Sequence, residues 1–377
     1  MNHPLGTQQE PTGGTAGLTR TLALSLVLMG IACQQAPSGH PRPLTEPYAE
    51  PGGPLSEIAA RHPLSRPAPD SLRFLEATFR ALPLHEDAAR SLLDPLVLRA
   101  HDDELLVGDF GDMRVKRFDA SGRLLATIGR GRGSGPGEFR NLTDVAAWAD
   151  TVWVADAPGR ALTAFRMDGT LIERFSLPFM PTRIAVGPAG LFVLALGGDA
   201  ALMRLGPGGV PRVLYEDLTE RAREHASVIV NGYLLAEPVG VAYVPESASR
   251  LYRFDARGAV AHVYPTPGGR GFPALTLPAD GGPTTAPDPS SVALQPSRDA
   301  QGYAVPLLVR EIRDRLTGET LRPGALLLHR LRPDGAYEGT LRLPPGLTAV
   351  SVQGERLWGL EDSRLVALEI ATAGAGR

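Results

Sequence analysis

The chain has 377 residues, 43% of them hydrophobic and 21% charged, which is globular composition and excludes a disordered chain. Thirty-eight Lys and Arg against 41 Asp and Glu leave a net charge of −3, without the basic excess of a nucleic-acid binder. Gly (43) and Pro (35) are spread along the chain, as suits an all-β protein with many turns, and the single cysteine, Cys33, excludes a disulfide within the chain.

Near the N-terminus, Arg20 precedes an apolar run from Leu22 to Met29, followed by Gly30, Ile31, Ala32 and Cys33. A basic residue, a short apolar core and small residues before a cut site describe a signal peptide, and the run is too short to span a bilayer comfortably. The tail from Gly30 to Cys33 resembles the lipobox of bacterial lipoproteins, although Gly30 stands where that family prefers Leu. The resemblance implies that residues 1–32 are removed and that a lipidated Cys33 holds the mature chain to a membrane of the bacterial cell envelope. Gln34, rather than Asp, next to Cys33 implies the outer membrane, with the protein facing periplasm or exterior. Plain secretion is the alternative. Residues 33–70, rich in Pro, Ser and Gly, then read as the lipidated Cys and a flexible tether.

From Ser71 to Arg377 one phrase recurs: an alternating apolar strand, a polar turn, a strand ending in Phe or Leu, a turn with Gly, and a third strand. The clearest copies run from Leu105 to Ile128 and from Val152 to Phe175, and four looser copies follow. The anchors Phe118, Phe165, Leu205 and Phe254 are 47, 40 and 49 residues apart, the period of a four-stranded propeller blade. Six phrases predict an all-β, six-bladed β-propeller over residues 71–377. From Phe254 to Leu331 is 77 residues, so one blade carries an insertion, placed at 266–299, with a second excursion at 313–319. The last copy stops one strand short near Ile370. Residues 71–79 could supply that outer strand and close the ring, while Ala and Leu between 76 and 93 also favour helix.

The stretch from Gly129 to Phe139, with Gly135, Pro136, Gly137, Glu138 and Phe139 in succession, precedes an apolar strand and then Asp156. It resembles the NHL repeat, and the chain is similar to six-bladed propeller lipoproteins of environmental bacteria. The resemblance is specific over residues 95–175 and loose elsewhere. It implies that Asp109 and Asp156, which end matching strands, cap the following turns and pair with an arginine such as Arg114 or Arg160. Phe139, apolar at the start of a strand, is expected to wedge between blades.

Other signals are weaker. The glycines at 129, 131 and 133 lack the strand-then-helix setting of a dinucleotide site, and Ser134 lacks the flanking glycines of a nucleophile elbow. His101, His225, His262 and His329 show no metal-ligand spacing, and Trp148, Trp153 and Trp358 suit blade packing better than a sugar platform. No metal, cofactor or catalytic residue is expected.

The functional expectation is a non-catalytic binding or scaffold lipoprotein. The alternative is a propeller hydrolase or lyase with a metal over the central channel. Strand alternation places the second-to-third-strand turns and the blade-to-blade linkers on one face. Arg130, Arg132, Glu138, Arg140 and Asp112 are thus expected to share a rim suited to an envelope protein or an anionic glycan.

Overall fold

The computed structural model describes residues 64–66, 72–196, 202–206, 211–213, 232–246, 250–266, 291–309, 312–313, 320–322 and 324–372. A strand, β1 (Ala77–Leu82), and a one-turn helix, α1 (Asp87–Arg90), come first. Blade 1 is β2 (Pro95–His101), β3 (Glu104–Asp109), β4 (Arg114–Phe118) and β5 (Leu124–Ile128). Blade 2 is β6 (Leu142–Trp148), β7 (Thr151–Asp156), β8 (Ala161–Arg166) and β9 (Leu171–Ser176). Blade 3 is β10 (Met180–Gly187), β11 (Gly190–Leu196), β12 (Leu202–Leu205) and β13 (Pro211–Val213). Blade 4 is β14 (Gly232–Glu237), β15 (Gly240–Pro245), β16 (Arg250–Asp255) and β17 (Val260–Pro265).

Blade 5 splits its inner strand into β18 (Ser291–Ala293) and β19 (Ser297–Asp299), both paired to β20 (Gly302–Val309). A two-stranded hairpin, β21 (Ile312–Arg313) and β22 (Thr320–Arg322), precedes the outer strands β23 (Ala325–Leu331) and β24 (Tyr337–Arg342). The insertion placed at 266–299 is therefore shorter than expected, because residues 291–299 belong to the blade. Blade 6 is β25 (Leu347–Gln353), β26 (Arg356–Glu361) and β27 (Arg364–Thr372), and β1 completes it in the order β25-β26-β27-β1. The ring thus closes with a strand from the opposite end of the domain, six residues further along than Ser71. Both readings of residues 71–93 meet here: 77–82 are strand and 87–90 are helix.

The second strand of each blade reads as almost unbroken apolar sequence because both its faces are buried. Leu105 and Val107 of β3 face the seam with blade 6, whereas Leu106 faces blade 2. This period-two sorting repeats around the ring. Six buried clusters fill the six blade-to-blade seams. The anchors Phe118, Phe165, Leu205, Phe254 and Leu331 are all buried. Phe139 lies fully buried between blades 1 and 2, edge-on to Phe165 at 6.0 Å.

Turns between third and fourth strands share one design in blades 1, 2, 4 and 5. Gly122, Gly169, Gly258 and Gly335 each donate their N–H three residues back, with positive φ, beside a β-bulge. That is a three-residue hairpin ending in a left-handed residue, where Gly has no steric cost.

Candidate functional site

Two aspartates organise the face that carries the blade-to-blade linkers. Asp109 accepts from the N–H groups of Leu93 (2.9 Å), Asp94 (2.8 Å) and Gly111 (3.0 Å). Asp156 accepts from Arg140 (2.9 Å), Asn141 (3.1 Å) and Gly159 (3.0 Å). Each fully buried carboxylate ties the turn after its own strand to the linker entering its blade. The arginine partners expected for them sit elsewhere: Arg114 is 4.0 Å from Asp112, and Arg160 donates to the Pro178 carbonyl at 3.5 Å. Three backbone amides serve each carboxylate in place of a guanidinium.

The Gly129–Phe139 linker folds into a pinched loop. Arg130 N–H donates to Gly137 O (2.7 Å), Phe139 N–H to Gly131 O (3.0 Å) and Gly133 N–H to Phe139 O (3.0 Å). The Glu138 carboxylate folds back over Gly133 and accepts from Gly135 N–H at 2.9 Å. A side chain at Gly131 would come 3.3 Å from the Asp112 carbonyl, so this linker and the turn after β3 are neighbours.

The residues expected at this rim therefore gather on one face, but in two different states. Arg130, Arg132 and Arg140 are exposed, and no acidic side chain among the described residues pairs with them. Arg132 donates from Nη1 only to the Arg140 carbonyl, at 3.3 Å. Asp112, in contrast, accepts from the Nζ of buried Lys116, the sole lysine of the chain, and Glu138 is held by its own loop. The rim's carboxylates are engaged, whereas Arg130, Arg132 and Arg140 have no ion pair among the described residues.

Sequence reasoning missed a polar ring where the inner strands meet. Arg99 on β2 donates to both Asp144 oxygens on β6, at 2.7 and 2.6 Å, and from Nε to Val145 O at 2.9 Å. Asp144 also accepts from Ile184 N–H on β10 at 2.9 Å. Arg183 on β10 stacks 4.9 Å over the Tyr233 ring on β14 and lies 3.7 Å from Glu246. Burial alone would lower the Arg183 pKa, but Tyr233, Asp144 and Glu246 hold it above its ordinary value. Burial pushes the Tyr233 phenol up. Ser351 Oγ accepts from Ala100 N–H (3.1 Å), and Ser297 Oγ from Val352 N–H (2.8 Å), continuing the links through β25 to β19. The available signal was a charged residue inside each of three apolar inner strands, at Arg99, Asp144 and Arg183.

Glu237, at the end of β14, closes the remaining junction. It accepts from Tyr303 OH (2.6 Å) and Arg253 (3.0 Å), with Arg298 of β19 at 3.4 Å. The carboxylates at the centre, Asp144 and Glu237, thus already hold arginines. Among the described residues, no three His, Cys, Asp or Glu side chains group as metal ligands. His329 is fully buried on β23, His262 stacks on Tyr264 at 5.7 Å, and His101 lies 3.7 Å from Asp102. Trp358 is buried, Trp153 stacks on Phe175 at 5.6 Å, and Trp148 is exposed. Cys33 and His225 lie outside the described residues.

No protein-family profile matches the chain, and no curated protein sequence matches it. The fold is similar to that of a member of the DUF4221 family from Bacteroides vulgatus, at 11% identity and a TM-score of 0.53, covering 81% of this chain and 99% of that one. It is also similar to a protein from Bacteroides fragilis classed as exported, at 12% identity and a TM-score of 0.51, covering 81% and 98% respectively. At these identities the likeness concerns the fold alone.

Proposed function

We propose that this chain is a non-catalytic binding or scaffold lipoprotein of the bacterial cell envelope. In this reading Cys33 carries the lipid and holds the protein to the outer membrane. The NHL-like blades 1 and 2 present their linker face to an anionic partner, either a carboxylate-bearing glycan or an acidic protein surface. One observation carries the reading: Arg130, Arg132 and Arg140 stand exposed without acidic partners among the described residues, while beside them one oxygen of Asp112 holds Lys116 and Glu138 holds its own loop. Guanidiniums on a rigid loop suit planar carboxylates, which accept two parallel N–H bonds. That a structurally similar protein from Bacteroides fragilis is classed as exported agrees with an envelope address.

Two variants test it. Cys33→Ser should leave the membrane fraction and take up no fatty-acid probe; a wild-type chain that takes up none in a lipoprotein-processing host defeats the anchor. The double variant Arg130→Ala with Arg132→Ala should capture less partner in a pull-down from envelope extract, at a nearly unchanged melting temperature. Undiminished capture removes this site, and a large loss of stability makes the arginines structural.

A further inference from the structure

The turns after the second strands of blades 1 and 2 are built alike, and one position differs. Four residues after its clamping aspartate, each turn holds a residue in the left-handed region, Met113 at φ +55° and Arg160 at φ +46°. A side chain there brings backbone strain that glycine would avoid. Met113 offsets it by burial between blades 1 and 2, where its sulfur accepts from the Leu142 N–H at 3.5 Å. Arg160 has no such packing. Its side chain is exposed, it has no ion pair among the described residues, and its Nη1 reaches the Pro178 carbonyl only at 3.5 Å.

Shared partners set Arg160 beside the rim arginines. The Asp156 carboxylate accepts from the N–H of Arg140 at 2.9 Å and from that of Gly159 at 3.0 Å, so Arg140 and Arg160 flank one buried group. The Arg140 carbonyl in turn accepts from Arg132 Nη1 at 3.3 Å, and Arg130 sits at the base of the same pinched loop. At the far end, the Arg160 carbonyl accepts from Leu177 N–H, at 2.7 Å, in the linker that enters blade 3. Exposed guanidiniums therefore run from one linker across blade 2 to the next. Among the described residues, the exposed large apolar side chain between Arg130 and Arg160 is Trp148, and it lies at the β6–β7 turn on the opposite face. A protein partner would call for an apolar centre within the charged patch, because interface cores are poor in charge. A charged chain of sugars does not.

We propose that Arg130, Arg132, Arg140 and Arg160 form one track for a linear polyuronate, a glycan that carries a carboxylate on successive sugars. This rests on the anionic-partner reading and extends it, from a single rim to a site that several sugars occupy at once. Successive carboxylates meet successive guanidiniums, and each contact after the first forms within the bound chain.

The probes are a dimer and an octamer of galacturonate, with an octamer of glutamate as the peptide counterpart, each titrated into the full chain at fixed salt. The galacturonate octamer should bind at least about tenfold more tightly than the dimer. Arg160→Gly should weaken octamer binding about fivefold at a nearly unchanged melting temperature, because relief of the left-handed strain offsets the added freedom of the unfolded chain. An octamer bound no more tightly than the dimer, or bound equally by Arg160→Gly, overturns the track and leaves the rim reading standing. A clearly lower melting temperature for Arg160→Gly also overturns it, by assigning the arginine to the turn itself. Tighter binding of the glutamate octamer makes the partner an acidic protein segment and overturns the polyuronate. Binding of none of the three overturns the track and the anionic-partner reading together.

Discussion

Asp109 and Asp156 show how a few side chains set the geometry of a face. Each collects three part-buried backbone amides, and a donor left without an acceptor costs about 1–3 kcal/mol where it is fully buried. Asp156→Ala is therefore expected to lower unfolding free energy by about 3 kcal/mol in urea titrations, whereas Arg130→Ala should stay within about 0.5 kcal/mol. Equal effects would mean that the carboxylate is not the clamp.

His329 makes a second residue-scale prediction. It sits fully buried, its Nδ1 2.8 Å from Thr340 Oγ1, and desolvation pushes its pKa down to about 4. The unfolded chain titrates near the ordinary value and binds the proton first. The stability contributed by the neutral ring is thus complete above about pH 6.5 and is lost as the pH falls toward 4. Going from pH 7 to pH 5 should cost on the order of 2 kcal/mol through this residue. His329→Gln should flatten that part of the pH–stability curve; an unchanged slope would assign the acid sensitivity to other groups.

At the scale of elements, β1 has the largest task for its size. Its six residues cover the outer edge of β27, and Phe79 packs on the cluster between blades 5 and 6. A chain lacking residues 72–82 should melt lower and associate with concentration, as an uncovered edge recruits other strands. A synthetic peptide of that segment should restore the monomer in size-exclusion chromatography. A truncated chain that remains monomeric and equally stable would show that closure by β1 is dispensable.

Much of this architecture was legible because blade chemistry repeats. The spacing of Phe118, Phe165, Leu205 and Phe254 reports the third strand of successive blades, and Gly122, Gly169 and Gly258 mark the turns after three of them. Other parts were not legible, for physical reasons. The inner strand of blade 5 is only three residues at a time, broken around Pro296 and preceded by a long Gly- and Pro-rich stretch, so it carries no period. Arg99, Asp144 and Arg183 each interrupt an apolar inner strand, but nothing local reveals that inner strands from different blades converge. The linker rim was half legible. Strand alternation placed Asp112 beside the arginines, but the capture of Asp112 by Lys116, four residues on, depends on the loop's fold.

Over the whole molecule, six apolar seams and a polar inner ring fix the blades, and the two faces are left to carry variation. Turns on the face opposite the linkers are tied together, as where Arg356 donates to Ala120 O at 3.0 Å. Arg123 and Arg257 also sit on that opposite face, exposed at third-to-fourth-strand turns. They provide the control for the central functional claim, that the linker face and not the overall charge receives an anionic partner. The measurement is binding of polygalacturonate, a carboxylate-bearing glycan, to the wild type and to two double variants of equal net charge, at fixed moderate salt. Arg130→Ala with Arg132→Ala should weaken binding about tenfold, while Arg123→Ala with Arg257→Ala should leave it within about twofold, as one charge-assisted contact of ~1.4 kcal/mol separates those outcomes. Equal weakening by both pairs, or none by the first, would contradict the assignment of binding to the linker face.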